Sequence, residues 1–82
     1  MADVSLSIHA QDMLEEGFIP DAWLHRTLDS PEQASEGEDT NIHYFRAITE
    51  HGDRVLHVIV NPTTDPPTVV TLFFDRRARR QP

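Results

Sequence analysis

Residues 54–60 have the sequence Arg-Val-Leu-His-Val-Ile-Val, and residues 68–74 have the sequence Thr-Val-Val-Thr-Leu-Phe-Phe. Both stretches are rich in β-branched and aromatic residues, which are typical of strands. Residues 41–50 have the same character. His51-Gly52-Asp53 separates them from residues 54–60, and Gly52 can supply the positive φ of a tight hairpin. The second half of the chain is therefore predicted to form a three-stranded antiparallel meander.

Two helices are predicted before these strands. Residues 4–8 alternate apolar and polar side chains, as a short half-buried strand does. Residues 9–16 place their apolar side chains on one helical stripe, and Gly17 suits a left-handed cap at the end of that helix. Pro20 suits the first turn of a second helix, because its missing N–H would have no partner there. The expected fold is α+β, with both helices on one face of the sheet.

Length and charge limit the domain organisation. A chain of 82 residues forms one domain, expected over residues 1–82. Residues 30–40 are acidic and polar and are predicted to form a flexible loop, and residues 76–82 are predicted to form an Arg-rich tail. Seven basic against fourteen acidic residues give a net charge of −7, which repels polyanions and disfavours RNA as a partner.

Several classes of protein are excluded by composition. The chain has no Cys, so disulfides, thiolate metal sites and cysteine nucleophiles are ruled out. No apolar run reaches the roughly 18 residues of a membrane span, and a cytoplasmic protein without membrane contact is expected. No two of the five His are three or four residues apart on one helix, so we expect neither a metal nor another cofactor.

Period-two alternation assigns the faces of the strands. Leu56/Val58/Val60 and Val70/Leu72/Phe74 are purely apolar and are predicted to lie under the helices. His43, Phe45 and Ala47 are placed with them, which puts His43 and His57 on opposite faces. The other face then carries six large apolar residues, namely Ile42, Ile48, Val55, Ile59, Val69 and Phe73. That number is too high for a water-facing sheet, so we expect a second copy, a partner chain or the C-terminal tail to cover it.

Several segments of the chain resemble a known family. They are His9-Ala10 at the start of a helix, Leu28-x-x-Pro31-Glu32, the strand of residues 54–60, and the closing Val-Val-Thr-Leu-Phe-Phe-Asp-Arg-Arg of residues 69–77. The series, over about residues 5–80, resembles the prokaryotic domain of unknown function 4258, which is related to the RelE/ParE and BrnT-like toxins. That family typically has two Arg in its first helix where this chain has Met13 and Gly17.

The resemblance implies a RelE-like or barnase-like fold and a toxin-like endoribonuclease, paired with a cognate antitoxin. In such enzymes the open sheet face provides a base, an acid and cations for RNA cleavage. Four residues that we predict on one face would fill these roles. His57 and Tyr44 would be base and acid, Arg46 would clamp the phosphate, and Thr71 would position it.

A second group of candidates can bind a ligand or be structural. His9 either contributes to binding or caps its helix, and Arg54 either contacts a ligand or neutralises nearby acids. Arg76 and Arg77 either bind an acidic segment or keep the tail soluble.

Two functions therefore stay open. One is the toxin-like ribonuclease. The other is a non-catalytic domain that uses the apolar outer face for dimerisation or for binding another protein.

Overall fold

The computed structural model describes residues 3–78, which form two helices on one face of a five-stranded mixed sheet. The elements are β1 (Ser5–Leu6), α1 (Ile8–Glu16), α2 (Asp21–Asp29), β2 (Gln33–Glu36), β3 (Ile42–Ile48), β4 (Arg54–Asn61) and β5 (Thr68–Phe74), with a short 3-10 turn at Thr49–His51. The strand order is β1-β5-β4-β3-β2. Strand β1 is parallel to β5, and all other neighbours are antiparallel.

The α+β class and the two helices are confirmed, but a three-stranded meander is not the whole sheet. The difference arises at both edges. Residues 33–36, predicted within a flexible loop, pair with β3 as the edge strand β2. All four residues of β2 are exposed, so no apolar alternation marks the strand in the sequence.

Helix α1 is fixed at both ends by local interactions. The Ser7 hydroxyl accepts a hydrogen bond from the Ala10 N–H (2.9 Å) and donates one to the Val70 carbonyl (2.7 Å), so one side chain caps the helix and joins it to β5. Gly17 ends the helix with φ −84°, and the left-handed residue is Phe18 (φ 51°). The left-handed cap predicted at Gly17 is therefore wrong. A Cβ at Gly17 would lie 2.6 Å from the Met13 carbonyl oxygen, so close packing is what requires glycine.

Helix α2 begins directly after Pro20 and is tied to the turn between β3 and β4. The Arg26 guanidinium donates to both carboxylate oxygens of Glu50 (2.8 and 2.7 Å). This bidentate contact lowers the pKa of Glu50 to about 2. The turn itself contains Gly52 with φ 67°, as predicted from the sequence.

The core lies between the helices and one sheet face. Its fully buried large side chains include Leu24 of α2 together with Ile48, Leu56, Leu72 and Val69 from three strands. Two of these residues, Ile48 and Val69, were predicted on the opposite face.

The error at Ile48 comes from the β3 register. Arg46 lies directly opposite Leu56 and Tyr44 directly opposite Val58, so the even-numbered residues of β3 share the helix-covered face. The prediction that His43, Phe45 and Ala47 point toward the helices is therefore wrong.

The error at Val69 comes from a β-bulge. The register between β4 and β5 shifts between Ile59 and Val60, so that Ile59 pairs with Thr71 but Val60 pairs with Val69. The shift brings Val69 rather than Val70 under the helices, where it is fully buried.

Candidate functional site

The face of the sheet turned away from the helices, here called the open face, carries two rows of side chains across its central strands. Phe45, His57 and Phe73 form one row, because His57 pairs with both phenylalanines. His43, Ile59 and Thr71 form the neighbouring row in the same way. The two histidines therefore lie on the same face and diagonally across β3 and β4. The prediction that placed them on opposite faces is wrong.

A chain of hydrogen bonds connects these histidines to two carboxylates. His43 Nδ1 lies 2.7 Å from His57 Nε2. His57 Nδ1 lies 3.0 Å from Asp75 Oδ2, just after β5, and His43 Nε2 lies 3.2 Å from Asp39 Oδ1, in the turn between β2 and β3. All four ring nitrogens thus have a partner. We refer to Asp39–His43–His57–Asp75 as the histidine chain.

The histidine chain runs from the interior to the surface. The side chains of Asp75 and His57 are 11 % and 10 % exposed, that of His43 is 19 % exposed, and that of Asp39 is 48 % exposed. The His57 ring also contacts the rings of Phe45 and Phe73, with centroids 4.2 and 4.9 Å away. His43 is therefore the histidine through which the chain can reach a ligand.

The tautomers of the two histidines follow from their partners. Burial lowers the pKa of His57 and outweighs the opposite effect of Asp75. This shift favours neutral His57, whose Nδ1–H donates to Asp75. The His57 Nε2 atom is then an acceptor, so the contact between the rings uses the Nδ1–H of His43.

The two carboxylates are stabilised in their ionised form. The hydrogen bond from His43 lowers the pKa of Asp39. Burial alone raises the pKa of Asp75, but hydrogen bonds from the Arg77 and Ala78 backbone and from His57 outweigh it, and the net shift is downward. The histidine chain therefore ends in an ionised carboxylate on each side.

The four residues predicted to act together are divided between the faces. His57 and Thr71 lie on the open face. Tyr44 and Arg46 lie on the helix-covered face, where Tyr44 packs against the core and the Arg46 guanidinium donates to the Ser30 carbonyl (2.7 Å). The predicted grouping is wrong because the register of β3 differs from the one assumed.

The apolar residues predicted on the outer face are divided as well. Val55, Ile59 and Phe73 do lie on the open face, where Val55 is buried. The other three lie on the helix-covered face. Ile42 pairs with Val60 there, and Ile48 and Val69 are part of the core. The open face is therefore less apolar than expected.

The predicted binding residues do not meet in one place. His9 is exposed on α1, Arg54 is exposed at the start of β4, and Arg76 and Arg77 are exposed directly after Asp75. The Arg77 Nε atom lies 4.0 Å from Asp75 Oδ1, so the Arg-rich segment begins next to the buried end of the histidine chain. Its later residues, 79–82, lie outside the described part of the chain.

Sequence reasoning missed His43, Asp39 and Asp75, although a signal for the histidine pair was present. A connection with an odd number of residues between two antiparallel strands places residues of equal parity on the same face, and this holds for the predicted turn of three residues as for the observed connection of five between Ile48 and Arg54. This rule places odd-numbered His43 with His57. The contributions of Asp39 and Asp75 depend on how the chain bends after a strand, which the sequence pattern does not specify.

Within residues 3–78, no three side chains of His, Asp or Glu are arranged so that they could hold a metal ion. No helix in this range is long and apolar enough to span a membrane.

Fold and site together define a small α+β domain with a covered and an open sheet face and a histidine chain on the open one. A domain of unknown function, DUF4258, matches residues 6–74, and the chain belongs to this family. No curated protein and no solved structure gives a significant match.

Proposed function

We propose that this protein is a small RelE- and BrnT-like domain that acts as a toxin-like endoribonuclease, with the histidine chain as its acid–base centre. The supporting observation is the hydrogen-bonded pair of His43 and His57 on the sheet face that no helix covers. Tyr44 and Arg46 have no part in this proposal, because both lie on the helix-covered face. His57 keeps a role, but as the residue that orients His43.

His43 Nε2 is the reactive atom in this proposal. With its proton on Nδ1, His43 donates to His57 and leaves Nε2 available as a base. Nε2 then accepts the proton of a ribose 2′-hydroxyl, and the 2′-oxygen attacks phosphorus. The bond to the leaving 5′-oxygen breaks, that oxygen takes a proton from water, and the products are a 2′,3′-cyclic phosphate and a 5′-hydroxyl.

The Arg-rich segment would supply cationic charge that holds the RNA beside the site. Arg76 and Arg77 follow directly after Asp75, and the Arg77 side chain is 94 % exposed. Because Asp75 and His43 Nε2 lie at opposite ends of the pair of rings, these guanidinium groups would bind a neighbouring phosphate rather than the one that reacts. Their cationic charge offsets locally the repulsion that a net charge of −7 exerts on RNA.

An RNA-cleavage assay on the purified protein tests the proposal. We expect His43→Ala to lower the cleavage rate at least ~100-fold, because it removes the base, and His57→Ala to lower it by a similar factor. Tyr44→Phe and His51→Ala serve as controls and should cleave like the wild type. Cleavage that survives His43→Ala, or a wild-type protein without activity on any single-stranded RNA, would refute it.

A specific observation also supports the non-catalytic alternative. Phe45, Ile59 and Phe73 are only half-buried on the open face, and two carboxylates flank the histidines there. A second copy of the chain or a cognate partner protein seated on this face would bury these side chains. Light scattering separates the two functions. A stable dimer that Phe73→Ser converts to a monomer, together with no RNA cleavage, favours the binding domain.

A further inference from the structure

The carboxylate of Asp39 is held by three N–H donors. His43 Nε2 and the Asn41 backbone nitrogen lie 3.2 and 3.1 Å from its Oδ1, and the Asn41 Nδ2 lies 3.2 Å from its Oδ2. Two of these donors belong to the turn itself, but the third is the outer nitrogen of the histidine chain. Asp39 thus occupies a position from which an acceptor contacts the pair without separating its two rings.

The turn is packed tightly over this position. A Cβ built on Gly37 would lie 2.5 Å from His43 Nε2 and 2.7 Å from Asp39 Oδ1, so any larger residue there requires these two side chains to shift. Thr40 has φ 66°, a left-handed conformation that β-branched residues rarely adopt. The turn of residues 37–41 therefore places Gly37 and Asp39 directly against His43.

A phosphate oxygen can replace a carboxylate oxygen in such a contact, since each is an anionic acceptor of hydrogen bonds from N–H donors. A hydrogen on His43 Nε2 could be donated to either acceptor. Because both acceptors need the same Nε2–H, they cannot be bound to it together. The internal carboxylate and an external phosphate are therefore competitors.

We infer that Asp39 stands in for the anionic group of the ligand, so that the turn of residues 37–41 must leave His43 before the site binds a phosphate. This inference rests on the proposed function in taking the ligand to be a phosphate of RNA. It adds that the closed turn inhibits phosphate binding, and that the Asp39 carboxylate is the group responsible.

Binding of inorganic phosphate, followed through the imidazole nitrogen resonances of His43 at pH 6, tests this inference without any cleavage. Asp39→Asn removes the charge but leaves an oxygen that can still accept from the Asn41 N–H. We expect it to bind phosphate about tenfold more tightly than the wild type. Glu38→Gln is the matched control, because it removes one negative charge from the same turn without touching His43, and it should stay within about twofold of the wild type.

A second variant reaches the same end by a different route. Gly37→Ala keeps Asp39 charged but adds a Cβ that the Asp39 carboxylate and the His43 ring accommodate only by shifting, which weakens their contact, so it should also bind phosphate more tightly than the wild type. Equal affinities in the wild type, Asp39→Asn and Gly37→Ala would overturn the inference. So would a tighter affinity whose spectral changes do not include His43.

The outcomes for this inference and for the proposed function are separable. If Asp39→Asn and Gly37→Ala bind phosphate more tightly but no variant cleaves RNA, the competition stands and the ribonuclease proposal fails. If the wild type cleaves RNA and its phosphate affinity does not respond to Asp39→Asn or Gly37→Ala, the ribonuclease proposal stands and the competition fails.

Discussion

The two faces of the sheet differ in how they use their polar residues. On the helix-covered face, the Arg46 guanidinium donates to a backbone carbonyl at the end of α2, and Tyr44 packs against the core. On the open face, polar side chains bond to one another and continue to the surface through Asp39. The first arrangement completes the packing of the core, whereas the second brings titratable groups to the solvent-exposed surface. Sharing a sheet is therefore not enough to share a function.

The largest expected effect tests the core side of this comparison. Leu72 is fully buried under the helices, whereas Ile59 is partly exposed on the open face. We expect Leu72→Ala to lower the free energy of unfolding by about 3 kcal/mol and Ile59→Ala by about 1 kcal/mol, because only the first leaves a cavity. Urea denaturation measures both. Equal losses would mean that something covers the open face as fully as the helices cover the other.

A smaller effect is expected at the buried end of the histidine chain. Asp75→Asn keeps the shape of the side chain but removes the charge that the His57 N–H faces. We expect the free energy of unfolding to fall by about 2 kcal/mol, as for other hydrogen bonds to charged groups. The pKa of His57 should fall further, since Asp75 raises it in the wild type. An NMR titration with an unchanged His57 pKa would contradict the contact.

Arg46 gives a prediction that separates the two faces directly. Arg46→Met keeps the apolar stem and removes both the hydrogen bond to Ser30 and the Nε atom, which is buried without a partner. Losing the hydrogen bond destabilises the fold, whereas removing the unpaired Nε atom stabilises it. We therefore expect a net decrease of about 1 kcal/mol in the free energy of unfolding. The imidazole resonances of His43 and His57 should stay unchanged. Their movement would show that the faces are coupled.

The pH dependence of stability has the smallest expected effect. The folded pKa of His57 lies below its usual value of 6.5, so its contribution to stability is complete above that value and is lost as pH falls through the folded pKa. The groups facing the pair are Asp39, Asp75 and, beyond Asp75, Arg77.

Glu50, whose pKa is about 2, adds a second decline below its usual 4.5. Melting temperatures should therefore be highest near neutral pH and fall in two stages on acidification. Glu50→Gln should remove only the lower stage. A melting temperature that rises between pH 6.5 and pH 5 would contradict the assignment of a neutral His57.

The sequence predicted which segments form helices and strands better than it predicted which residues meet. The three long strands and both helices lie where β-branched content and helical spacing placed them. Strand β2 was missed because four exposed polar residues carry no hydrophobic period. The face of β3 was reversed because both of its faces are partly apolar, so alternation alone could not choose between them.

The functional grouping failed for the same reason. Placing Tyr44 and Arg46 beside His57 required the wrong register, and correcting it brings His43 to His57 instead. The number of residues in the turn determines which residues of β3 and β4 share a face, so the pairing of His43 with His57 could have been predicted from the sequence. The position of Asp39 was not, since it depends on a left-handed threonine and on a close approach at Gly37.

The bulge in β5 opposite Ile59 and Val60 divides β5 into two parts, in which opposite parities of residue number face the core. Upstream of it, Val69 is directed to the core together with its parallel neighbour Leu6, and downstream the alternation runs in the opposite sense. Chain length at this point is thus constrained more strictly than residue type. Deleting one residue of β5 there would move either Val69, which pairs with Leu6 of β1, or Phe73, which pairs with His57, to the opposite face of the sheet. Exchanging one aliphatic side chain for another would leave both residues on their present faces.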